Sequence, residues 1–258
     1  MLLVFAGFFT GLMVGLTGVG AGAIMTPVLL LVFGIVPTTA IGTDLLFAGL
    51  TKLVASRFHD SKGLIDWQIV KRLWIGSLPT SALMVIVIKM QWLSFDVDFL
   101  RQIIGVAVLV TALGMLLQRY LNNLGRKLRI NDEVFFKTYQ PIFTVAAGAL
   151  LGILVTLTSV GAGAIGAVLL AYLYPLRLSP SRLVATDIVH AVPLALFAGF
   201  GHMFVGNVDF ILLSWLLIGS VPGVLIGAYF SVKMNQKFLR AILAFVLCTI
   251  GIKLTFYV

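Results

Sequence analysis

Two short glycine-rich runs carry the residues best suited to chemistry. Thr17, Gly18, Val19, Gly20 and Gly22 form the first; Thr158, Ser159, Val160, Gly161 and Gly163 form the second. Each run separates two apolar stretches, and glycines at this spacing break a helix. A break frees the first N–H groups of the helix that follows, and these donors together with the positive dipole end form a place for an anion. The hydroxyls of Thr17, Thr158 and Ser159 would add further donors. Close helix packing is the other use of such glycines. It is the better reading for Gly7, Gly11 and Gly15, a stripe with four-residue spacing, and for Gly148 and Gly152.

Ionisable residues inside the apolar stretches come next. Asp44 follows Thr43 and Asp187 follows Thr186, each in the opening turns of an apolar segment. A carboxylate inside a membrane is costly and points to function. One at a helix start can equally be held by the dipole and by capping, so both readings stay open. Direct anion binding by a carboxylate is excluded in favour of coupling or gating, a role that takes in Thr43 and Thr186. His190 falls deeper in its segment, near the middle of the span, where an imidazole could donate to an anion, carry a proton or simply pack. Its counterpart in the first half is Phe47, so a site there is asymmetric. Lys52 reads as a side chain that snorkels, in preference to one that attracts anions into the pathway, and His59 and His202 read as interfacial. Pro79, Pro193 and Pro222 should kink their helices, and Trp67 and Trp92 should anchor segment ends.

Several chemistries are excluded. The run from Gly18 to Gly22 with Asp44 beyond it echoes a dinucleotide fingerprint, but that motif needs a preceding strand and a βαβ unit. No metal cluster, nucleophile–base pair or phosphate-binding loop is present, so neither enzyme activity nor a cofactor is expected. The single Cys248 rules out an internal disulfide.

The elements that must position these residues follow from composition. The 258 residues are 60% hydrophobic and 10% charged, against roughly 25% charged in a soluble domain, and the mean hydropathy is +1.12. Apolar runs near the ~20 residues of a bilayer-spanning helix dominate, and period-two alternation is nearly absent. The net charge of +9 would suit nucleic acid in a soluble protein, but Lys and Arg cluster in a few loops, and nucleic acid is excluded as a partner. Residues 1–9 lack a basic start, so no cleavable signal peptide is expected.

The chain contains itself twice. Beyond the two glycine runs, Pro37 answers Pro180, Thr43 and Asp44 answer Thr186 and Asp187, and His59 answers His202. Asp66 answers Asp209; Ile75, Gly76, Ser77 and Pro79 answer Ile218, Gly219, Ser220 and Pro222; and Leu100 and Arg101 answer Leu239 and Arg240. The expected organisation is a first repeat over 1–120, a basic cytoplasmic linker over 121–140 and a second repeat over 141–258. The first copy reads as apolar segments at about 2–17, 19–34, 39–57, 70–90 and 99–119, the second at about 142–157, 160–175, 182–201, 210–231 and 238–257. The first two of each copy are short, either tilted spans or a re-entrant hairpin around the break. Three full spans follow, and that odd number turns the second copy upside down. The fold class is therefore an all-α polytopic membrane protein of two inverted repeats. Loop charge agrees: threading from an outside N-terminus puts every basic cluster inside and both termini outside the cytoplasm.

With residues 7–22 and 148–163, Gly42 to Leu45 and Ala185 to Asp187, the chain resembles the sulfite exporter TauE/SafE family, also called the toluenesulfonate uptake permease family. The resemblance covers nearly the whole chain. It implies a secondary transporter of the bacterial inner membrane for sulfite, thiosulfate, organosulfonates or related sulfur anions, coupled to protons. A passive anion channel is the alternative; an intramembrane enzyme or assembly factor is disfavoured. Expected partners are the sulfur anion and the lipid bilayer, with a homodimer left open. Direction of transport does not carry over, and the glycine breaks offer no cysteine for thiol-assisted handling.

Overall fold

A computed structural model describes residues 1–17, 22–60, 63–91, 96–131, 133–230 and 236–256. These residues form ten helices: α1 (Leu2–Thr17), α2 (Gly22–Leu31), α3 (Pro37–Asp60), α4 (Trp67–Lys89), α5 (Val97–Asn131), α6 (Glu133–Thr158), α7 (Ala164–Leu173), α8 (Pro180–Phe204), α9 (Phe210–Phe230) and α10 (Gln236–Phe256). Helix starts follow local chemistry. Asp66 caps α4 by accepting from the Ile69 N–H, and Ser179 caps α8 ahead of Pro180. The central basic stretch is itself helical, because α5 continues to Asn131 and α6 begins at Glu133.

Polarity is inverted relative to a water-soluble domain. Asp44, Lys52, Asp187, His190 and His202 are buried, while Phe5, Leu83, Val110, Phe197, Phe245 and other large apolar side chains are exposed. Lipid is the solvent such a surface requires. Among the described residues six helices are long and apolar enough to cross a membrane: α4, α5, α6 from Thr138, α8, α9 and α10 from Leu239. The protein is thus a multi-pass membrane protein. Helices α2 and α7 have ten residues each, a rise of about 15 Å and half of a ~30 Å hydrocarbon core. They are half-length returns from the breaks.

Glycine sets the main helix contacts. Along α1, Gly7, Gly11 and Gly15 lie against the backbone of Leu216, Ser220 and Val224 in α9, and a Cβ on Gly11 would fall 2.8 Å from Ser220 Cα. The expected packing stripe is therefore real, and rising numbers on both sides make α1 and α9 parallel. Gly148 and Gly152 of α6 meet Leu73 and Ser77 of α4 in the same way. By contrast α3 and α8 are antiparallel, with Gly49 against Leu196 and Gly199 against Leu46. So are α5 and α10, where Gly105 meets Leu254 and Thr255 and Gly251 meets Leu109. Pro79, Pro193 and Pro222 lie inside α4, α8 and α9, each of which continues through its proline as one helix. The interruptions of the fold are at the glycine runs instead.

Candidate functional site

The start of α2 meets the second break. Gly22, the first residue of α2, lies so close to Ser159 that an added Cβ would stand 2.8 Å from the Ser159 carbonyl carbon and 2.9 Å from its Oγ. Gly18, Val19 and Gly20 lie outside the described residues. In the second break the backbone unwinds through Ser159, Gly161 and Gly163, with φ of 58°, 118° and 146°. Glycine suits the last two positions because a Cβ disfavours that region, and Ser159 is held there against its preference. Val160 is fully buried, and its N–H donates to Thr158 Oγ1 at 3.1 Å. Helix α7 then starts at Ala164, with Gly163 before it and no side-chain cap; the Gly166 N–H donates to the Gly161 carbonyl at 3.2 Å, which leaves the Ala164 and Ile165 N–H groups available by position.

The threonine hydroxyls are placed differently from expectation. Thr17 Oγ1 donates to the Met13 carbonyl at 2.6 Å, and Thr158 Oγ1 donates to the Leu154 carbonyl at 2.6 Å. Each hydroxyl has a single proton, and it is directed back onto its own helix. Ser159 Oγ is buried without a hydrogen-bond partner.

Asp44 and Asp187 converge on the breaks from the paired helices α3 and α8. Both are buried about two turns inside their helices, beyond reach of the N-terminal caps, so the helix-start reading does not describe them. Asp44 Oδ2 accepts from Thr26 Oγ1 of α2, while its Oδ1 has no hydrogen-bond partner. Ser159 stands beside the same carboxylate. Asp187 Oδ1 is also without a partner and lies over Gly166 of α7, where a Cβ would come within 3.3 Å of Asp187 Cγ.

Lys52 overturns the snorkelling expectation. It is 1% exposed, and its Nζ donates to the Ala162 carbonyl in the second break. It lies within electrostatic reach of both Asp44 and Asp187. The two carboxylates account for the inward aim, since they offer a buried ammonium more than a distant interface would. His190 is fully buried, with Nε2 and Ser77 Oγ 3.0 Å apart, Nδ1 without a partner, and its carbonyl accepting from Trp74 Nε1. His202, expected at an interface, is buried with Nε2 2.9 Å from the Thr156 carbonyl, because Thr156 follows the α6 glycine contact inward. The side chain of His59 lies outside the described residues, as does Trp92; Trp67 is half-exposed at the start of α4.

Thr43 and Thr186 face away from the breaks. Thr43 Oγ1 accepts from the Asp209 N–H at 3.0 Å, and Thr186 Oγ1 accepts from the Asp66 N–H at 3.1 Å. Each ties its helix to the start of a helix in the other half. Asp66 also takes a two-pronged contact from Arg177, at 2.7 and 2.9 Å. Arg240, read in the sequence only as the match of Arg101 and as a loop charge, donates to Gln118 at 2.6 Å. With Gln118, Thr17, Gly163 and Asp187 it lines a cavity of about 20 Å³, room for one water molecule.

The arrangement offers helix-start amides, a hydroxyl, an imidazole and an ammonium beside two carboxylates, all buried within the helix bundle. It can accept a small charged solute and offers no hydrolytic constellation among the described residues. Residues 3–254 match the family described as Sulfite exporter TauE/SafE. The "Probable membrane transporter protein YjnA" of Bacillus subtilis is 34% identical over 255 residues, covering 98% of each chain. The "Probable membrane transporter protein YdhB" of the same organism is 27% identical over 258 residues, 99% of this chain and 100% of the relative. No solved structure matches.

Proposed function

Because the chain belongs to the sulfite exporter TauE/SafE family of membrane transporters, we propose that it is a secondary transporter of small sulfur-containing anions such as sulfite, thiosulfate or an organosulfonate. The observation that carries this reading is the meeting of the α2 start with the second break, at Gly22 and Ser159, beside the uncapped start of α7. In broken-helix transporters, half-helix N-termini hold the anionic group of the substrate near the middle of the membrane. The anion would lie between the breaks, with donors from the Ile165 and Ala164 amides, Ser159 and His190. Asp44 and Asp187 would serve coupling to protons rather than contact with the anion.

The same proposal includes two inverted copies. The antiparallel pairing of α3 with α8 and of α5 with α10 supports it, since helices with the same place in each copy should oppose one another. So does the exchange of partners, α1 with α9 and α6 with α4. The family's expected setting is the bacterial inner membrane, and loop charge favours both termini outside the cytoplasm.

The test is uptake of labelled sulfite, thiosulfate and an organosulfonate into proteoliposomes under an imposed pH gradient. Uphill accumulation of one of them is expected. Flux that only dissipates the anion gradient would replace the transporter with a passive channel, and no flux of any sulfur anion would refute the substrate class.

A further inference from the structure

Lys52 is the feature that the anion site does not use. A buried ammonium in a membrane interior is expensive unless oxygen ligands compensate it, and those around Lys52 form a particular set. Its Nζ donates to the Ala162 carbonyl, which belongs to the unwound segment between α6 and α7. The carboxylates of Asp44 and Asp187 both feel its charge, and each keeps an Oδ1 with no hydrogen-bond partner. Ser159 Oγ is buried beside the same Asp44 carboxylate. Ion pairs among the described residues involve Arg101, Arg177 and Arg182, so Lys52 is not locked onto either carboxylate. It faces the Ala162 carbonyl and the two carboxylates, drawn from the second break, α3 and α8, and its charge also reaches the His190 imidazole of α8, which meets Ser77 through Nε2.

Carbonyl and carboxylate oxygens are the preferred ligands of hard cations. In broken-helix transporters the unwound backbone carbonyls are where the coupling cation binds, while the helix starts take the anion. We propose that the Lys52 ammonium is a tethered cation filling a monovalent-metal position, so that this chain carries within its own sequence the charge that a free ion such as sodium would supply. The second copy has Ala195 at the corresponding place, counting from the matched Asp44 and Asp187, so one such charge serves the pair of carboxylates. Free sodium is then neither needed nor admitted by the wild-type protein.

Removing the side chain should open the position. The purified wild type, Lys52→Ala and Lys52→Met are compared by thermal unfolding in sodium chloride and in choline chloride of equal ionic strength. The wild type should melt at one temperature in both salts. Lys52→Ala should melt several degrees higher in sodium, with a saturable dependence on sodium concentration, as for a ligand that binds the folded state. Lys52→Met, which fills the space without charge, should not respond. The double variant Lys52→Ala with Asp187→Asn should lose the sodium response. The proposal is overturned if Lys52→Ala melts identically in the two salts or cannot be recovered folded in sodium. An equal response in Lys52→Met, or a response that survives in the double variant, overturns it as well. No sulfur anion is present in these measurements, so their outcome is separate from that of the anion site.

Discussion

Replacing Gly22 with valine should separate the start of α2 from the second break and thereby report on the anion site. An added Cβ would stand 2.8 Å from the Ser159 carbonyl carbon, and the carbonyl oxygen is closer still. Carbon contacts settle at roughly 3.5–4.0 Å, so the start of α2 must retreat by about 0.7 Å or more. The obstacle is backbone held by an unwound turn, which yields less readily than a side chain. Overpacking of this kind costs about 1–3 kcal/mol, less than the stability of a typical domain, so the variant should remain folded. A displacement of that size breaks or stretches at least one hydrogen bond to a charged ligand. Such a bond is worth about 1.5–3 kcal/mol, which corresponds to roughly 10–100-fold in Kd. The assay is thermal stabilisation of the detergent-purified protein across a concentration series of sulfite and thiosulfate. Gly114→Ala is the control, since its Cβ would meet only Val168 Cγ2 at 3.3 Å. If Gly22→Val is monodisperse and binds within about twofold of the control, the anion does not lie between the breaks.

Other positions test separate parts of the structure. Gly161→Leu, at φ 118°, should abolish sulfur-anion stabilisation while the protein still inserts, as read by membrane fractionation and the same thermal assay. His190→Gln can still bond Ser77 but cannot carry a proton, so transport in proteoliposomes should change its pH dependence; an identical profile would leave His190 as a packing partner. Asp66→Asn removes the charge that two Arg177 nitrogens grip and should lower stability by about 1–3 kcal/mol, seen as a reduced melting temperature. Asp209→Asn, where the corresponding carboxylate caps Leu212, should cost less than Asp66→Asn. Gly11→Leu should prevent α1 from seating on α9 and abolish folded yield in fluorescence-detected size exclusion.

The sequence made the helices legible because duplication repeats their punctuation. Glycines at 7, 11 and 15 and at 148 and 152 could be read as packing because the four-residue spacing has one mechanical meaning, and they do pack. Asp66 and Asp209 were visible only as matched positions. Their partners Thr186 and Thr43 were read for a coupling or gating role without these bonds, because sequence spacing carries no information about which copy a side chain faces. The signal was nevertheless present: all four residues are duplicated, and each bond joins one copy to the other. Lys52 shows the limit more sharply. Its depth along the helix is consistent with both an interfacial and a central aim, and only the carboxylates and the Ala162 carbonyl decide between them. Three of the positions where the two copies differ lie close together. Lys52 answers Ala195, His190 answers Phe47, and Thr26, which bonds Asp44, answers Ala167. All three differences fall around the carboxylates and the breaks, whereas the matched glycines, threonines and aspartates outside that centre hold the copies together. A duplicated membrane fold can keep its scaffold symmetric at no cost, but a single solute between two equivalent breaks sees one side at a time. Chemistry is therefore to be sought where the repetition fails within that centre, at one buried lysine and one buried histidine.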